Sequence, residues 1–278
     1  MPSPNRLKAE PPAMTRAALT YPEAFPEATL RPMTGEVELA IADAAARPGV
    51  RPERVTAVLA AAYEAFAGSP AGPESARRLS SGAREWLTQR VALAFHPDLE
   101  WFEADCAACG ETYDIDMALA RAPLKPAGAG FPVAEIATSL GPRQFESPSG
   151  WHEEEAAKRT DDDPARVFAA LTGLADDAEA EAAHFTEDDL DRIEAALDAI
   201  SPDVADRVVA ACPACGAETT ARIEPLRFTL PSVAGVLGEA HLLAGAYHWP
   251  ESEILALPPA RRRHYAALIR KTGRGEWR

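Results

Sequence analysis

No stretch of this 278-residue chain approaches the about 20 consecutive apolar residues that a membrane-spanning helix needs. The first twenty positions hold Lys8, Glu10 and several prolines where a secretory signal would require an apolar core, so the reading is a soluble, cytosolic protein without a membrane partner. Basic residues are scarce: 28 Lys plus Arg stand against 43 Asp plus Glu, a formal charge of −15. That balance makes broad binding to a phosphate backbone or an anionic membrane unfavourable. Dinucleotide-binding and phosphate-binding glycine loops, the G-x-S-x-G elbow and the H-E-x-x-H zinc helix are all missing, and no small-molecule substrate is indicated. His241 and His248 are seven apart and can share a helical face near Glu239, which suits packing or a helix end better than ligation.

What is present is 47% hydrophobic residues, sufficient for one large core or two small ones. Residues 1–27 carry six prolines and no period, and are expected to form a disordered arm. Pro52 can open a helix whose Val55, Val58, Leu59, Ala62, Tyr63 and Phe66 fall on one buried stripe. A second helix is expected after Ser80 or Ser81, with Leu87, Val91, Ala94 and Phe95 inward and Pro97 as its stop. Tyr113, Ile115 and Met117 alternate with Asp114 and Asp116, as in a half-exposed strand. Residues 122–150, rich in Pro, Gly and Ala, read as loop, and 153–191 carry fourteen acids against three bases around a helix marked by Val167, Phe168, Leu171 and Leu174. A stronger helix starts after Thr186, with Leu190, Ile193, Leu197 and Ile200 in period and acids at its positive end. From Ser232 a long helix buries Val233, Val236, Leu237, Ala240, Leu243, Ala244 and Tyr247, and shorter helices follow around 251–257 and 259–271. Residues 258–278 carry a net charge of +6, which leaves −21 for the remainder.

All four cysteines lie in two matched units, Cys106-Ala-Ala-Cys109-Gly110 and Cys212-Pro-Ala-Cys215-Gly216. His96-Pro97-Asp98-Leu99 precedes the first and Ser201-Pro202-Asp203-Val204 the second, each after an apolar-periodic helix. Allowing one inserted residue, the repeat is helix, Pro-Asp, strand, C-x-x-C-G, strand. A tight turn between two cysteines aims both sulfurs at one point, and the following glycine can take the positive φ that closes it. Four thiolates complete a tetrahedral shell for Zn²⁺, so Cys106, Cys109, Cys212 and Cys215 are expected to hold one structural zinc across the 102 residues between Cys109 and Cys212. A redox pair would need nearby positive charge, whereas Glu103, Asp105 and Glu111 flank the first pair. Disulfides would need an oxidising compartment. Trp101, Phe102 and Tyr113 read as the small core beside the first unit, with base stacking as the rarer use.

The expected fold is α+β and mainly helical. Two C-x-x-C-G zinc knuckles on short hairpins form a zinc-ribbon-like unit, joined by a helical middle insert and followed by a helical tail. The boundaries are 1–27 for the arm, 28–121 for a helical region with the first knuckle, 122–185 for a loop-rich acidic insert, 186–230 for the second helix and knuckle, and 231–278 for the basic tail. Arg261, Arg262 and Arg263 read either as solvated charge or as a docking site for an acidic surface.

The segment from His241 to Tyr265 resembles the baseplate proteins of contractile phage tails and related injection systems, the T-even-type baseplate hub proteins or hub assembly chaperones. The resemblance is carried by Tyr247, His248, Trp249, Glu253, Ile254, Leu255, Leu257, Pro258, Arg262, Arg263 and Tyr265, with Pro250 as a departure where a helix-capping Ser is expected. The order of elements agrees over roughly residues 28–271. The resemblance implies a non-enzymatic assembly protein, cytoplasmic during assembly or incorporated in the baseplate. Its partners are other baseplate or hub proteins, and its partner surface includes Tyr247, His248, Trp249, Glu253, Ile254, Leu255, Arg261, Arg262, Arg263 and Tyr265. The rival reading is a zinc-ribbon nucleic-acid-binding or regulatory module using the basic C-terminal helix.

Overall fold

A computed structural model describes residues 16–97, 101–160, 163–223 and 230–272. It is a mixed α+β chain with small antiparallel sheets. In chain order the first part holds β1 (Ala28–Leu30), α1 (Gly35–Ala46), α2 (Arg51–Ala62), β2 (Tyr63–Phe66), β3 (Ser69–Pro70), α3 (Pro73–Arg77) and α4 (Ser81–Phe95). Next come β4 (Trp101–Asp105), β5 (Thr112–Asp116), a 3₁₀ turn at Leu119–Arg121, β6 (Leu124–Lys125), β7 (Val133–Thr138) and β8 (Gly141–Glu146). Then follow α5 (Gly150–Ala156), α6 (Pro164–Thr172), α7 (Ala178–Ala182), α8 (Glu187–Ile200), β9 (Asp203–Val204), β10 (Arg207–Ala211) and β11 (Glu218–Arg222). The last part is α9 (Val233–Tyr247), α10 (Glu251–Leu255) and α11 (Pro259–Thr272). Strands β1, β2 and β3 form one sheet, and β4–β5, β6–β9, β7–β8 and β10–β11 pair two by two. Among the described residues no helix is long and apolar enough to cross a membrane.

The first core gathers Ile41, Val58, Leu59, Tyr63, Phe66, Leu87 and Val91 between α1, α2, β2 and α4. The expected stripe of α2 is buried throughout, but the helix ends at Ala62, and Tyr63 and Phe66 continue it as a strand. Pairing decides this: Leu30 and Ala28 of β1 lie opposite Tyr63 and Phe66. On α4, capped by Ser80, Ala92 takes the inward place expected of Ala94, which is exposed.

The second core joins Ile136 and Phe145 of the β7–β8 hairpin to Ala169 and Ala170 of α6 and to Leu190, Ile193, Leu197 and Ile200 of α8. Two expectations change here. Residues 122–150 are not plain loop, since β7 and β8 pair over their whole length around Gly141, whose φ of 96° suits glycine. The boundary drawn at residue 185 divides a single apolar cluster. The helix expected at Val167 to Leu174 stops at Thr172, and Val167, Phe168 and Leu171 line an open cleft of about 490 Å³, Phe168 also resting against the second core.

Helix α8 is fixed at its start by a fully buried carboxylate. Asp189 accepts from the Ser139 N–H at 2.8 Å, the Ser139 hydroxyl at 2.5 Å, and the N–H and hydroxyl of Thr186 at 3.0 and 2.8 Å. Burial would raise its pKa, but these donors outweigh it and hold the carboxyl well below the usual carboxylate range. Between the cores, Arg84 donates to Ala76 O, Thr56 Oγ1 and Pro52 O and pairs with Glu153 at 2.8 Å. Only glycine fits at position 150, where a Cβ would lie 2.3 Å from the Arg84 guanidinium.

The arm expected over residues 1–27 is seated from Arg16 onward, while residues 1–15 lie outside the described residues. Arg16 N–H donates to Leu174 O at 2.7 Å, and the buried Tyr21 donates its N–H to Arg78 O at 2.8 Å. Between them Glu146 Oε2 accepts from the Leu19 N–H, the Thr20 N–H and the Thr20 hydroxyl at 2.7, 3.0 and 3.0 Å. Proline content pointed away from order here, but one buried carboxylate supplies the acceptor that the strap's backbone needs.

The Glu146 pKa is lowered, because hydrogen bonds from His152 and Thr20 outweigh the opposing effect of burial. A carboxylate depressed in the folded state stabilises fully above its unfolded value of about 4.3 and loses that contribution as pH falls towards the folded value. Glu146→Ala is expected to cost about 2–3 kcal/mol and to raise amide hydrogen exchange at Leu19 and Thr20 more than elsewhere. Its unfolding curve should be flatter than the parent's between roughly pH 5 and 3.

Candidate metal centre

Each cysteine pair sits in the turn of a two-stranded hairpin. In the first, β4 and β5 pair from Trp101 opposite Asp116 to Asp105 opposite Thr112, and in the second, β10 and β11 pair from Arg207 opposite Arg222 to Ala211 opposite Glu218. The turns are closed alike. Cys106 N–H donates to Glu111 O and Gly110 N–H to Cys106 O, both at 2.8 Å. Cys212 N–H donates to Ala217 O and Gly216 N–H to Cys212 O, again at 2.8 Å. Gly110 and Gly216 take φ of 77° and 74°, the left-handed conformation that a Cβ would strain. The sequence repeat is therefore a backbone repeat. Asp98 and Leu99 of the first Pro-Asp step lie outside the described residues.

The two turns face each other. Cys106 Sγ is 3.7 Å from Cys215 Sγ, and Cys109 Sγ is 3.8 Å from Cys212 Sγ. All four sulfurs lie within 4.8 Å of one another. A disulfide would bring a pair to about 2 Å, and none is formed. Four sulfurs placed about 2.3 Å from a central ion would be roughly 3.8 Å apart along each edge of the tetrahedron. The cluster is thus compatible with one metal ion. Cys106 and Cys212 are buried and Cys109 and Cys215 exposed, so the centre lies at the surface with an apolar base of Ala104, Tyr113 and Ile115. Ala92, Leu119 and Ile223 tie that base to α4.

Backbone N–H groups of Cys109 and Ala108 lower the Cys106 thiol to about 6, helped by the Thr219 hydroxyl at 3.8 Å. For Cys109 the Glu111 N–H acts downward, yet the neighbouring Cys215, Cys106 and Cys212 sulfurs push it up to about 12. One thiolate is favoured and its neighbour opposed, because the adjacent sulfurs share hydrogen bonds.

Neither a family model, nor a curated protein, nor a solved structure matches this chain.

The residues assigned to a partner surface divide in two. Tyr247, His248, Glu253 and Arg261 are exposed and Trp249, Arg263 and Tyr265 partly so. Ile254, Leu255 and Arg262 are buried, which corrects their assignment as contact residues. Ile254 and Leu255 pack with Val236, Leu243 and Ile269, and Arg262 pairs with Glu38 of α1 and with Glu239 at 2.9 Å. Arg263 also reaches Glu38, at 3.1 Å. Arg262 and Arg263 thus fasten the C-terminal helices to α1, while Arg261 points outward.

One polar constellation carried no sequence signal. Ser149 and His152 join in the cap of α5, the hydroxyl and N–H of Ser149 both 3.0 Å from His152 Nδ1, and His152 Nε2 lies 3.4 Å from Glu146. The order Ser, His, Glu imitates a nucleophilic triad, but Ser149 is fully buried and its N–H occupies the nitrogen that would act as base. It closes a helix end. In the adjoining cleft the charges are already matched, Glu153 with Arg84 and Arg159 with Glu179.

Two outcomes follow from these contacts. Metal analysis is expected to give one tightly held ion per chain, and Cys212→Ser should lower the metal content and the unfolding midpoint, the latter corresponding to a stability loss of about 2–4 kcal/mol. Glu38→Ala, which leaves the buried Arg262 with Glu239 as its remaining carboxylate partner, should cost about 2–4 kcal/mol in denaturant titration, whereas an exposed substitution such as Glu251→Ala should stay within about 0.5 kcal/mol.

Proposed function

We propose that this chain is a non-enzymatic assembly protein, braced by one structural zinc, of a contractile phage tail or injection-system baseplate. The observation that carries the reading is the meeting of four sulfurs from two distant hairpins at tetrahedral spacing. Zinc suits an all-thiolate tetrahedral shell, and with four protein ligands no position remains for substrate or a reactive water. The two C-x-x-C-G turns then act as knuckles of one ribbon-like unit, and the ion as a cross-brace.

The baseplate assignment draws on the resemblance of residues 241–265, with Tyr247, His248, Trp249, Glu253, Arg261, Arg263 and Tyr265 as the accessible part of the partner surface. An acidic body with a basic C-terminal helix favours selective docking on complementary proteins while remaining monomeric beforehand. The nucleic-acid reading is weaker, because Arg262 and Arg263 are answered by Glu38 and Glu239 and the basic run offers a phosphate backbone less charge than its sequence suggests.

Affinity purification from cells assembling the particle is expected to recover other baseplate or hub proteins with this chain. Recovery of the chain without any of them would overturn the reading. Zinc content of one per chain together with a salt-sensitive shift of DNA or RNA would favour the alternative.

A further inference from the structure

The outer face of the C-terminal helices combines cationic groups with apolar ones that remain partly exposed: Trp249 and Tyr265 rest against the third core by one side only, and Tyr247 and Leu268 are exposed. Helix α11 has fourteen residues, Pro259–Thr272, and no carboxylate. Its inward side is spent on Arg262, Ala266 and Ile269. On its other side Arg261, His264, Tyr265, Leu268 and Lys271 follow at the three- and four-residue steps of one ridge. Leu268 is 41% exposed, and Tyr247, at the end of α9, is 38% exposed.

These groups are organised. The Tyr247 ring stacks on Trp249 with centroids 5.0 Å apart, Tyr265 meets both edge-on at 5.9 and 5.4 Å, and the Arg261 guanidinium lies over Tyr265 at 5.8 Å. A preformed aromatic cluster continued by a leucine and bracketed by cations is the composition of a docking site, since rigid aromatics and arginine supply anchors at low entropic cost. Among the described residues no carboxylate forms an ion pair with Arg261, Arg270 or Lys271, although Glu38 and Glu239 take up Arg262 and Arg263.

Charge selects the occupant. A second copy pairing through this same face would set Arg261 and Lys271 against their own counterparts, which is repulsive. On the acidic helix α8 the apolar stripe Leu190, Ile193, Leu197 and Ile200 is buried in the second core, so that helix offers this face no apolar partner. Among the described residues the remaining large exposed apolar side chains, Leu19, Leu124, Leu140, Val209 and Leu237, are scattered over separate elements.

We propose that the ridge Arg261–Tyr265–Leu268–Lys271, with Tyr247 and Trp249 at its end, binds an acidic amphipathic helix of another protein. Its apolar stripe lies against Tyr265 and Leu268, and its carboxylates face Arg261 and Lys271. This rests on the reading of the C-terminal helices as a partner surface and names the chemistry of the partner.

The test uses the full chain with its metal and two synthetic helical peptides carrying the same leucine stripe, one flanked by glutamates and one by lysines. Calorimetry is expected to show the glutamate peptide binding at least about tenfold more tightly, with an affinity that weakens between roughly 0.05 and 0.5 M salt. Leu268→Asp and Arg261→Glu, both at exposed positions, should each weaken it about tenfold or more while leaving zinc content and the unfolding midpoint unchanged. Equal affinity for the two peptides, no binding of the glutamate peptide, or insensitivity to both substitutions would overturn the proposal. So would a dimer in sedimentation that Leu268→Asp returns to monomer, because a second copy would then be the occupant. Peptide binding that fails while baseplate proteins still copurify would reject this surface alone. Peptide binding without copurification would reject the baseplate assignment and keep the surface.

Discussion

Four sulfurs meeting at one point is the constraint around which the middle of this protein is arranged. Cys109 and Cys212 are 103 positions apart in the chain. A contact at that separation closes a long loop, and its entropic cost must be met by something stronger than the hairpins themselves. Two-stranded hairpins are marginal alone, and the apolar base under the cysteines is built largely from alanines, Ala104, Ala210, Ala217 and Ala221, with Tyr113, Ile115 and Val208. A sulfur cluster of this geometry is compatible with an ion that would join hairpin to hairpin where apolar area is short. Loss of such an ion would act first on these hairpins and, through Ala92, Leu119 and Ile223, on their seat against α4.

Buried charge does the corresponding work elsewhere. Arg84, Glu146, Asp189 and the Glu38–Arg262 pair are each nearly inaccessible, and each joins segments distant in sequence. Glu146 holds the strap at Leu19 and Thr20, Asp189 fixes the turn at Ser139 to the start of α8, and Glu38 ties α1 to α11. Such groups contribute little net stability when satisfied but are costly to leave alone, so they specify one arrangement of the segments they join. The strongly acidic composition gave no hint of this selectivity, because a carboxylate in a solvated face and one at the centre of a network are the same letter.

Legibility followed locality. Helices α4, α8 and α9 were announced by Ser80, Thr186 and Ser232 in front of apolar periods, and all three residues cap as expected. The cysteine turns were announced by spacing and by the glycine after each pair. The β7–β8 hairpin was not, since its inward Ile136, Thr138 and Phe145 are interrupted by proline and glycine and acquire meaning only from α8 beneath them. The end of α2 was misread for a related reason: Tyr63 and Phe66 satisfy a helical period, and only the opposing strand β1 makes them extended. In the C-terminal region periodicity placed Leu237 and Tyr247 inward, yet the neighbours available to α9 cover one side alone, so both remain exposed.

What the sequence determined by itself is the set of pieces whose physics is confined to a few residues: capped helices, glycine-closed cysteine turns, and the opposite charges of body and tail. What the tertiary structure decided is which pieces meet. The ordering of residues 16–27, the conversion of Arg262 from an apparent surface charge into a buried tie, and the convergence of Cys106 with Cys215 and Cys109 with Cys212 all depend on partners dozens to hundreds of residues away. No local pattern encodes them, because a carboxylate, a guanidinium or a sulfur becomes structural only when the opposing group arrives.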